Sequence, residues 1–172
     1  HNVFKMIRRK GVPLVFFDRY IHDPDFTRVI VDDRKGAMDA VAHLASKGRR
    51  AIAHLGGTAQ VSVSIERLAG YKAGLEAAGI PFDEKWVKPC GFSEEEGFEG
   101  FMELVKNARR PDGVFAVNHP VAIGVYDAAR ELGMRIPGEL GVVGFSDLTM
   151  AKYMSPPLTP VHQPALALGQ EA

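Results

Sequence analysis

Short apolar runs and helix-like stretches alternate along the chain, and this alternation constrains the fold more than any other feature. The apolar runs have the length of strands, and they fall at 13–17, 28–31, 51–55, 85–90, 114–117, 141–145 and 158–163. The stretches between them place apolar residues at helical spacing. Runs that are apolar throughout are typical of strands buried on both faces. The sequence therefore predicts the α/β class, with a doubly wound parallel sheet between two layers of helices.

The two ends of the chain do not complete this pattern. Two strand-like runs precede the helix predicted at 35–47, and one follows the proline-rich segment 153–160. These pieces are too few to close a sheet of their own. We therefore expect one nearly complete lobe and one partial lobe, with part of the first lobe upstream of His1.

Composition narrows the classes of function. The 172 residues include 21 Lys and Arg and 21 Asp and Glu, and the basic residues form short clusters instead of a stripe. This segment alone is not expected to bind nucleic acid tightly. No apolar run approaches the roughly 20 residues of a membrane span. The single cysteine, Cys90, excludes an intramolecular disulfide and ends an apolar run, so a packed thiol is favoured over a reactive one.

Arg67 lies in the first turn of the helix predicted at 62–78, just past the carboxyl end of a strand. Ligands of open α/β sheets bind in this region. A cation there does not complement the helix dipole, which favours anions. Spacing alone favours a surface charge paired with Glu66 or another carboxylate. The alternative is a guanidinium that holds a ligand.

Polar groups recur where predicted strands or the loops after them end, and they are Asp18, Arg67, Asn118, Ser146 and Asp147. Each one alone fits a cap or a turn, because Asp, Asn and Ser are preferred N-cap residues. Their recurrence at one sheet edge predicts convergence on a ligand. Phe92 follows the run at 85–90 and is either core or a wall on which a sugar or base stacks.

Signatures of enzymes, metals and cofactors are weak. The segment 144–148 lacks the second glycine of the G-x-S-x-G elbow, and there is no phosphate-binding loop motif. The histidines show no metal-ligand spacing. His43 is expected to be structural, and the role of His119 stays open. We predict no cofactor and no catalytic residue.

Five segments in this order and spacing resemble the effector-binding core of the lactose repressor/galactose repressor (LacI/GalR) family of bacterial transcription factors. They are VPLVFFDR at 12–19, VDDRKGAMDAVAHLASKGRRAIAHLGG at 31–57, SIERLAGYKAGLEAAGI at 64–80, DGVFAVNHPVAIGVYDAARELGMRIPGELGVVGFSD at 112–147 and SPPLTPVHQP at 155–164. The resemblance covers essentially the whole chain.

This resemblance implies a periplasmic-binding-protein-like fold of two α/β lobes with a small effector in the cleft between them. Residues 33–159 would form the C-terminal lobe, and 1–32 with 160–172 would be remnants of the N-terminal lobe and its crossing strands. It also implies a cytoplasmic homodimer, joined through the helix at 120–132 and the loop near 148–155. Operator DNA would be bound by a helix-turn-helix outside this chain.

The family's effector contacts fall on four residues here. Asp18 matches an acidic residue of the first lobe that contacts the effector. Arg67, in the R-L-A-G motif, matches the arginine that grips sugar hydroxyls or a base. Phe92 matches the aromatic residue that stacks on the ligand, and Asn118 matches a polar contact. The chain departs from the family pattern with His119 after Asn118, with Asp33 after Asp32, and with Ser146 ahead of Asp147. The selecting carboxylate is therefore replaced or displaced, which leaves the ligand class open.

The leading hypothesis is a sensing domain of a repressor that binds a sugar, and a purine is the second choice. An extracytoplasmic sugar-binding protein of a transporter is an alternative on the same fold. The upstream sequence separates the two, since the first requires a helix-turn-helix and the second a signal peptide. An enzyme is the third hypothesis, and turnover of a bound ligand would support it.

Overall fold

A computed structural model describes residues 2–21, 23, 25–107, 109–146 and 148–172. Within them, helices and strands alternate as predicted. The strands are β1 Val15–Phe17, β2 Thr27–Val29, β3 Ile52–Gly56, β4 Val87–Pro89, β5 Gly113–Ala116, β6 Gly141–Ser146 and β7 Thr159–His162. The helices are α1 Asn2–Arg9, α2 Asp33–Ser46, α3 Ser62–Ala77, α4 Glu94–Leu104, α5 His119–Glu131, α6 Leu148–Ala151 and α7 Ala165–Glu171.

The strands form two parallel sheets of unequal size. The large sheet contains β4, β3, β5, β6 and β7 in that order, and the small sheet contains β1 and β2. In the large sheet Leu55 pairs with Ala116, and Ala116 pairs with Gly144. The carboxyl ends of β3, β5 and β6 therefore lie side by side. The predicted α/β class with parallel sheets is confirmed.

Helices cover both faces of the large sheet. On one face, α2 and α3 pack over a core that includes Val41, Tyr71 and Phe115. On the other face, α4 and α5 pack over a core that includes Phe101 and Val114. Successive residues of β5 point to opposite cores, which explains why its sequence is apolar without interruption.

Local sequence signals set where the helices begin. The Asp32 side chain accepts from the Lys35 N–H at 2.8 Å and caps α2. Ser93 and Glu96 form a capping box at the start of α4, with both of its hydrogen bonds present. Asp32 is thus the N-cap of α2, and Asp33 is its first helical residue.

The small sheet has a thin core of its own. The ring of Phe16 meets Phe4 of α1 at 5.0 Å and Phe26 at 5.4 Å between centroids. Two ion pairs also link α1 to the loop before β2, Lys5 with Asp23 at 3.4 Å and Arg8 with Asp25 at 3.1 Å.

Two details concern the predicted boundaries. The run at 85–90 begins with a 3₁₀ turn, Glu84–Trp86, so that its strand is only Val87–Pro89. β7 pairs with β6, so the lobe boundary expected at residue 160 falls inside a strand of the large sheet. The division into lobes stays a prediction.

No helix in the described part of the chain is long and apolar enough to span a membrane.

Candidate functional site

The candidate site lies at the carboxyl edge of the large sheet. We use "strand-end cluster" for the described residues that the sequence singles out there, namely Asp18, Arg67, Phe92, Asn118 and Ser146. Asp147, the remaining candidate, lies outside the described residues. The structure links the members of this cluster through intermediate side chains and backbone groups instead of placing them around one open cavity.

Arg67 is the buried centre of this edge. Its side chain starts from the second turn of α3, and the residue is 3% exposed. Nε donates to Oδ1 of Asp33 at 2.7 Å, and Nη2 lies 2.6 Å from the same oxygen. Nη1 donates to the carbonyl oxygen of Val117, and the guanidinium lies 3.6 Å from the centroid of Phe145. The prediction that Arg67 is a surface charge is therefore wrong. The prediction that it pairs with a carboxylate is correct, and the partner is Asp33 instead of Glu66.

Charges around Arg67 oppose the cost of burying it. Burial lowers the pKa of Arg67, and the Asp33 carboxylate acts against that shift. Burial likewise raises the pKa of Asp33, and Arg67 acts against it. Asp18 affects both groups electrostatically, which places its charge within reach of the pair. The pair therefore presents a charged, oriented donor group beneath the sheet edge.

Three contacts use three of the five N–H groups of a guanidinium. The two others have no hydrogen-bond partner among the residues that the structure describes. Arg67 thus has donors left for a ligand oxygen, while Asp33 fixes its orientation. The sequence analysis noted Asp33 only as a departure from the family pattern and missed its pairing with Arg67.

Asn118 and Phe92 form the next part of the edge. Oδ1 of Asn118 accepts from the Val121 N–H at 2.9 Å and caps α5, as the structural reading predicts. Nδ2 donates to the carbonyl oxygen of Phe92 at 2.9 Å and so fixes the loop that carries this aromatic ring. Phe92 is half-buried, and the guanidinium of Arg19 lies 4.5 Å from its ring centroid.

Ser146 is joined to His119. Its Oγ lies 2.7 Å from Nδ1 of His119, the first residue of α5, and Ser146 itself is buried. Two of the positions at which the chain departs from the family pattern therefore contact each other. A hydroxyl–imidazole pair therefore occupies this part of the edge, and it places His119 beside the other candidate residues.

Asp18 approaches from the small sheet. It follows β1 with φ of +60°, a conformation that L residues seldom adopt. Its Oδ1 accepts from Nε2 of Gln163, just after β7, at 2.5 Å. The backbone N–H of Tyr20 also donates to Oγ of Ser62 in α3 at 3.0 Å. These bonds hold the end of the small sheet against the edge of the large one.

Cys90 behaves as predicted for a packed thiol. It packs against the core beneath α4, and its Sγ lies 3.3 Å from the carbonyl oxygen of Gly56. Burial raises the pKa of this thiol to about 11. The thiolate is therefore scarce at neutral pH, and Cys90 is a poor nucleophile.

Comparison with known proteins agrees with this architecture. The family model described as a periplasmic binding protein-like domain matches residues 41–172. The chain therefore belongs to the periplasmic binding protein-like domain family.

Its relatives within that family are transcriptional regulators of the LacI type, and not enzymes. The ribose operon repressor of Haemophilus influenzae is 33% identical over 94% of this chain and 49% of its own length. The transcriptional repressor PurR of Proteus mirabilis is 33% identical over 95% of this chain and 48% of its own length. A transcriptional regulator CelR–cellobiose complex is 33% identical with a TM-score of 0.92, covering 98% of this chain and 52% of that one.

These matches confirm the resemblance to the LacI/GalR family and the periplasmic-binding-protein-like fold. The chain spans about half the length of the curated relatives it matches. The ligands and the regulated genes of these full-length relatives are therefore not shown for this chain by the match.

Proposed function

We propose that this chain is the effector-sensing part of a bacterial transcriptional repressor of the LacI type. A small molecule would bind between the two lobes and change how a DNA-binding segment outside this chain engages its operator. The observation that carries the proposal is the strand-end cluster. The buried Arg67 donates to the carbonyl oxygen of Val117, next to Asn118, and Asn118 holds the loop of Phe92, while Asp18 approaches from the other sheet. A ligand in contact with both sheets would favour one arrangement of the lobes over another.

A sugar is the effector class that this edge suits best. An oriented guanidinium and carboxylates match vicinal hydroxyl groups, and the exposed part of Phe92 offers an apolar surface for a ring face. The ribose repressor and the CelR–cellobiose complex support this class. A purine is the second candidate, because PurR is similarly related and the same ring would stack on a base.

The site assignment can be tested by measuring binding. A thermal-shift screen of sugars, including ribose and cellobiose, and of nucleobases would select the ligand for calorimetric titration. Phe92→Ala and Asp18→Asn are expected to weaken binding of the best hit about tenfold or more, since each removes a contact without emptying the buried core. Phe82→Ala, an exposed ring outside the strand-end cluster, serves as the control.

Unchanged affinity in both Phe92→Ala and Asp18→Asn would contradict the site. Arg67→Ala is a third variant, and it is informative only if circular dichroism shows that it remains folded. A hit among nucleobases but not among sugars would replace the first effector class by the second.

We also propose that the sensing unit is a homodimer that acts in the cytoplasm on operator DNA. The surface beside α5 carries two exposed apolar side chains, Met150 at 53% and Tyr153 at 72% exposure. Apolar residues grouped on a surface are typical of interfaces. Light scattering of this chain, with Tyr153→Glu as the disrupting variant, tests the proposal; a monomer at all concentrations would count against it.

A further inference from the structure

His54 lies in the middle of β3, on the face of the large sheet that α3 covers, and it is fully buried. Its ring lies between the aromatic rings of Phe115 and Tyr71, with centroid distances of 4.7 Å and 5.3 Å. Nδ1 lies 3.0 Å from the carbonyl oxygen of Phe115. A carbonyl oxygen only accepts, so Nδ1 carries the proton and donates it. The neighbours therefore set both the orientation and the tautomer of the ring.

Nε2 of the same ring is left as an unused acceptor. Burial lowers the pKa of His54 to about 4, so the ring is neutral at physiological pH and Nε2 carries a lone pair without a proton. In the part of the chain that the structure describes, this atom has no hydrogen-bond partner. Folded proteins seldom leave such an atom unpaired, because the lost contact with water is not replaced. A bound donor would replace it.

A second unpaired polar atom faces the same space. Oγ of Ser64, in the first turn of α3, has no partner among the described residues, and Ser64 is 6% exposed. Two glycines lie directly against these atoms and leave no room there for a side chain. A Cβ on Gly56 would lie 3.2 Å from Nε2 of His54, and a Cβ on Gly57 would lie 2.4 Å from Cζ of Phe92 and 2.6 Å from Oγ of Ser64. We call the space bounded by these four residues the polar niche.

The polar niche is the inner end of a groove between α3 and the edge strand β4. The groove has a volume of about 290 Å³, far more than one water molecule needs. Its remaining walls are mainly apolar, and they include Ile65, Leu68, Val87 and Pro89. Lys72 is the charged residue among them. No residue of the strand-end cluster lines this groove. The ring of Phe92 packs against Gly57 beside Ser64, so the groove is a neighbour of that cluster and opens away from it.

We propose that this groove binds a small neutral alcohol or phenol, whose hydroxyl group occupies the polar niche. A hydroxyl donates its proton to Nε2 of His54 and accepts from the hydroxyl of Ser64, so one group satisfies both unpaired atoms. An apolar body fits the walls beyond it. The proposal does not depend on what binds at the strand-end cluster.

Phenol and anisole form a matched pair of probes, because anisole has the same ring but no O–H to donate. In a chain labelled with ¹⁵N histidine, two-dimensional NMR resolves the Nε2 resonance of His54. Phenol is expected to shift this resonance saturably toward the value of a hydrogen-bonded acceptor, and anisole is not. Ser64→Ala should weaken phenol binding about tenfold, as expected for one lost hydrogen bond. Ser46→Ala, an exposed serine on α2, is the matched control and should leave binding unchanged.

Gly56→Ala places a methyl group beside Nε2 and should abolish the response to phenol. If this variant fails to fold, Ser64→Ala still decides the question. The proposal is overturned if phenol leaves the Nε2 resonance unchanged, if anisole shifts it equally, or if Ser64→Ala binds phenol as the wild type does. A resonance that is already hydrogen-bonded without phenol and does not respond to it would show a niche that takes water only, and this too overturns the proposal.

Discussion

The large and the small sheet each contain a strand that is apolar throughout, β5 and β1, but the two strands have very different surroundings. In β5 of the large sheet, Val114 and Phe115 are fully buried, because helices cover both faces. In β1 of the small sheet, Val15 and Phe17 are 40% and 59% exposed. Both strands read as uninterrupted apolar runs. The comparison shows that an apolar run predicts a strand, but not how far the rest of the described chain buries it.

The difference implies an unequal distribution of stability. A two-stranded sheet is marginal in water without further packing. The small sheet is supported by the rings of Phe4, Phe16 and Phe26 and by its bonds to Ser62 and Gln163. The large sheet has two continuous cores. We therefore expect most of the free energy of unfolding to come from the large sheet.

The strongest test of this inequality compares two phenylalanines. Phe101→Ala removes a fully buried ring under α4 and should lower the free energy of unfolding by about 3–5 kcal/mol. Phe17→Ala removes a mostly exposed ring and should cost less than about 1 kcal/mol. Urea unfolding followed by circular dichroism measures both. Equal costs would mean that the small sheet is as important to stability as the large one.

The buried Arg67–Asp33 pair, at the edge of the large sheet, gives the next test. Arg67→Met leaves Asp33 charged and uncompensated at 3% exposure, so the free energy of unfolding should fall by about 3–5 kcal/mol. The double variant Asp33→Leu with Arg67→Met should lose less than the sum of the single variants, because neither charge is then left unpaired. Lys35→Met breaks an exposed pair with Asp39 and is the control, expected to leave stability nearly unchanged. Additive costs in the double variant would exclude a direct coupling.

The order of the strands and the edge to which they deliver polar groups follow from local rules, and the sequence predicts them. Apolar runs mark β3, β5 and β6, and Asn118 and Ser93 mark helix starts. The Arg67–Asp33 pair was not predictable in this way, since its members lie 34 positions apart and meet only because α2 packs on α3. The one signal that Arg67 had a special role was its expected place in the first turn of a helix, against the helix dipole. The structure corrects this place to the second turn, because α3 begins at Ser62.

The site shows the same division between local and tertiary information. The position of Ser146 after β6 was predicted, but its hydrogen bond to His119 depends on the pairing of β5 with β6. The shortening of the run at 85–90 also escaped prediction, because Asp83 caps a 3₁₀ turn there. His54 was hidden inside an apolar run. A titratable residue in such a run is itself a signal, because burial without a full set of partners is costly.

His54 also gives the smallest of the three expected effects, a pH dependence confined to the large sheet. Its pKa is about 4 in the folded chain and ordinarily 6.5, so the unfolded chain takes up the proton first as the pH falls. Above pH 6.5, His54 therefore leaves the free energy of unfolding unchanged. Between pH 6.5 and 4, protonation of this residue in the unfolded chain lowers the free energy of unfolding by roughly 3 kcal/mol in total. In the loop before β2, the hydrogen bond from the Asp25 N–H lowers the pKa of Asp23. The stability that the Asp23 carboxylate contributes is therefore lost only at lower pH.

His54→Leu should flatten the dependence of the free energy of unfolding on pH between 6.5 and 4, measured in urea at a series of pH values. His43→Gln, which removes an exposed histidine on α2, should keep the slope of the wild type. Because the described residues of the small sheet and its loop include no histidine, acid should weaken the large sheet first. The difference in stability between the two sheets should then become smaller as the pH falls. If the free energy of unfolding of His54→Leu depends on pH as steeply as that of the wild type, other groups cause the acid sensitivity.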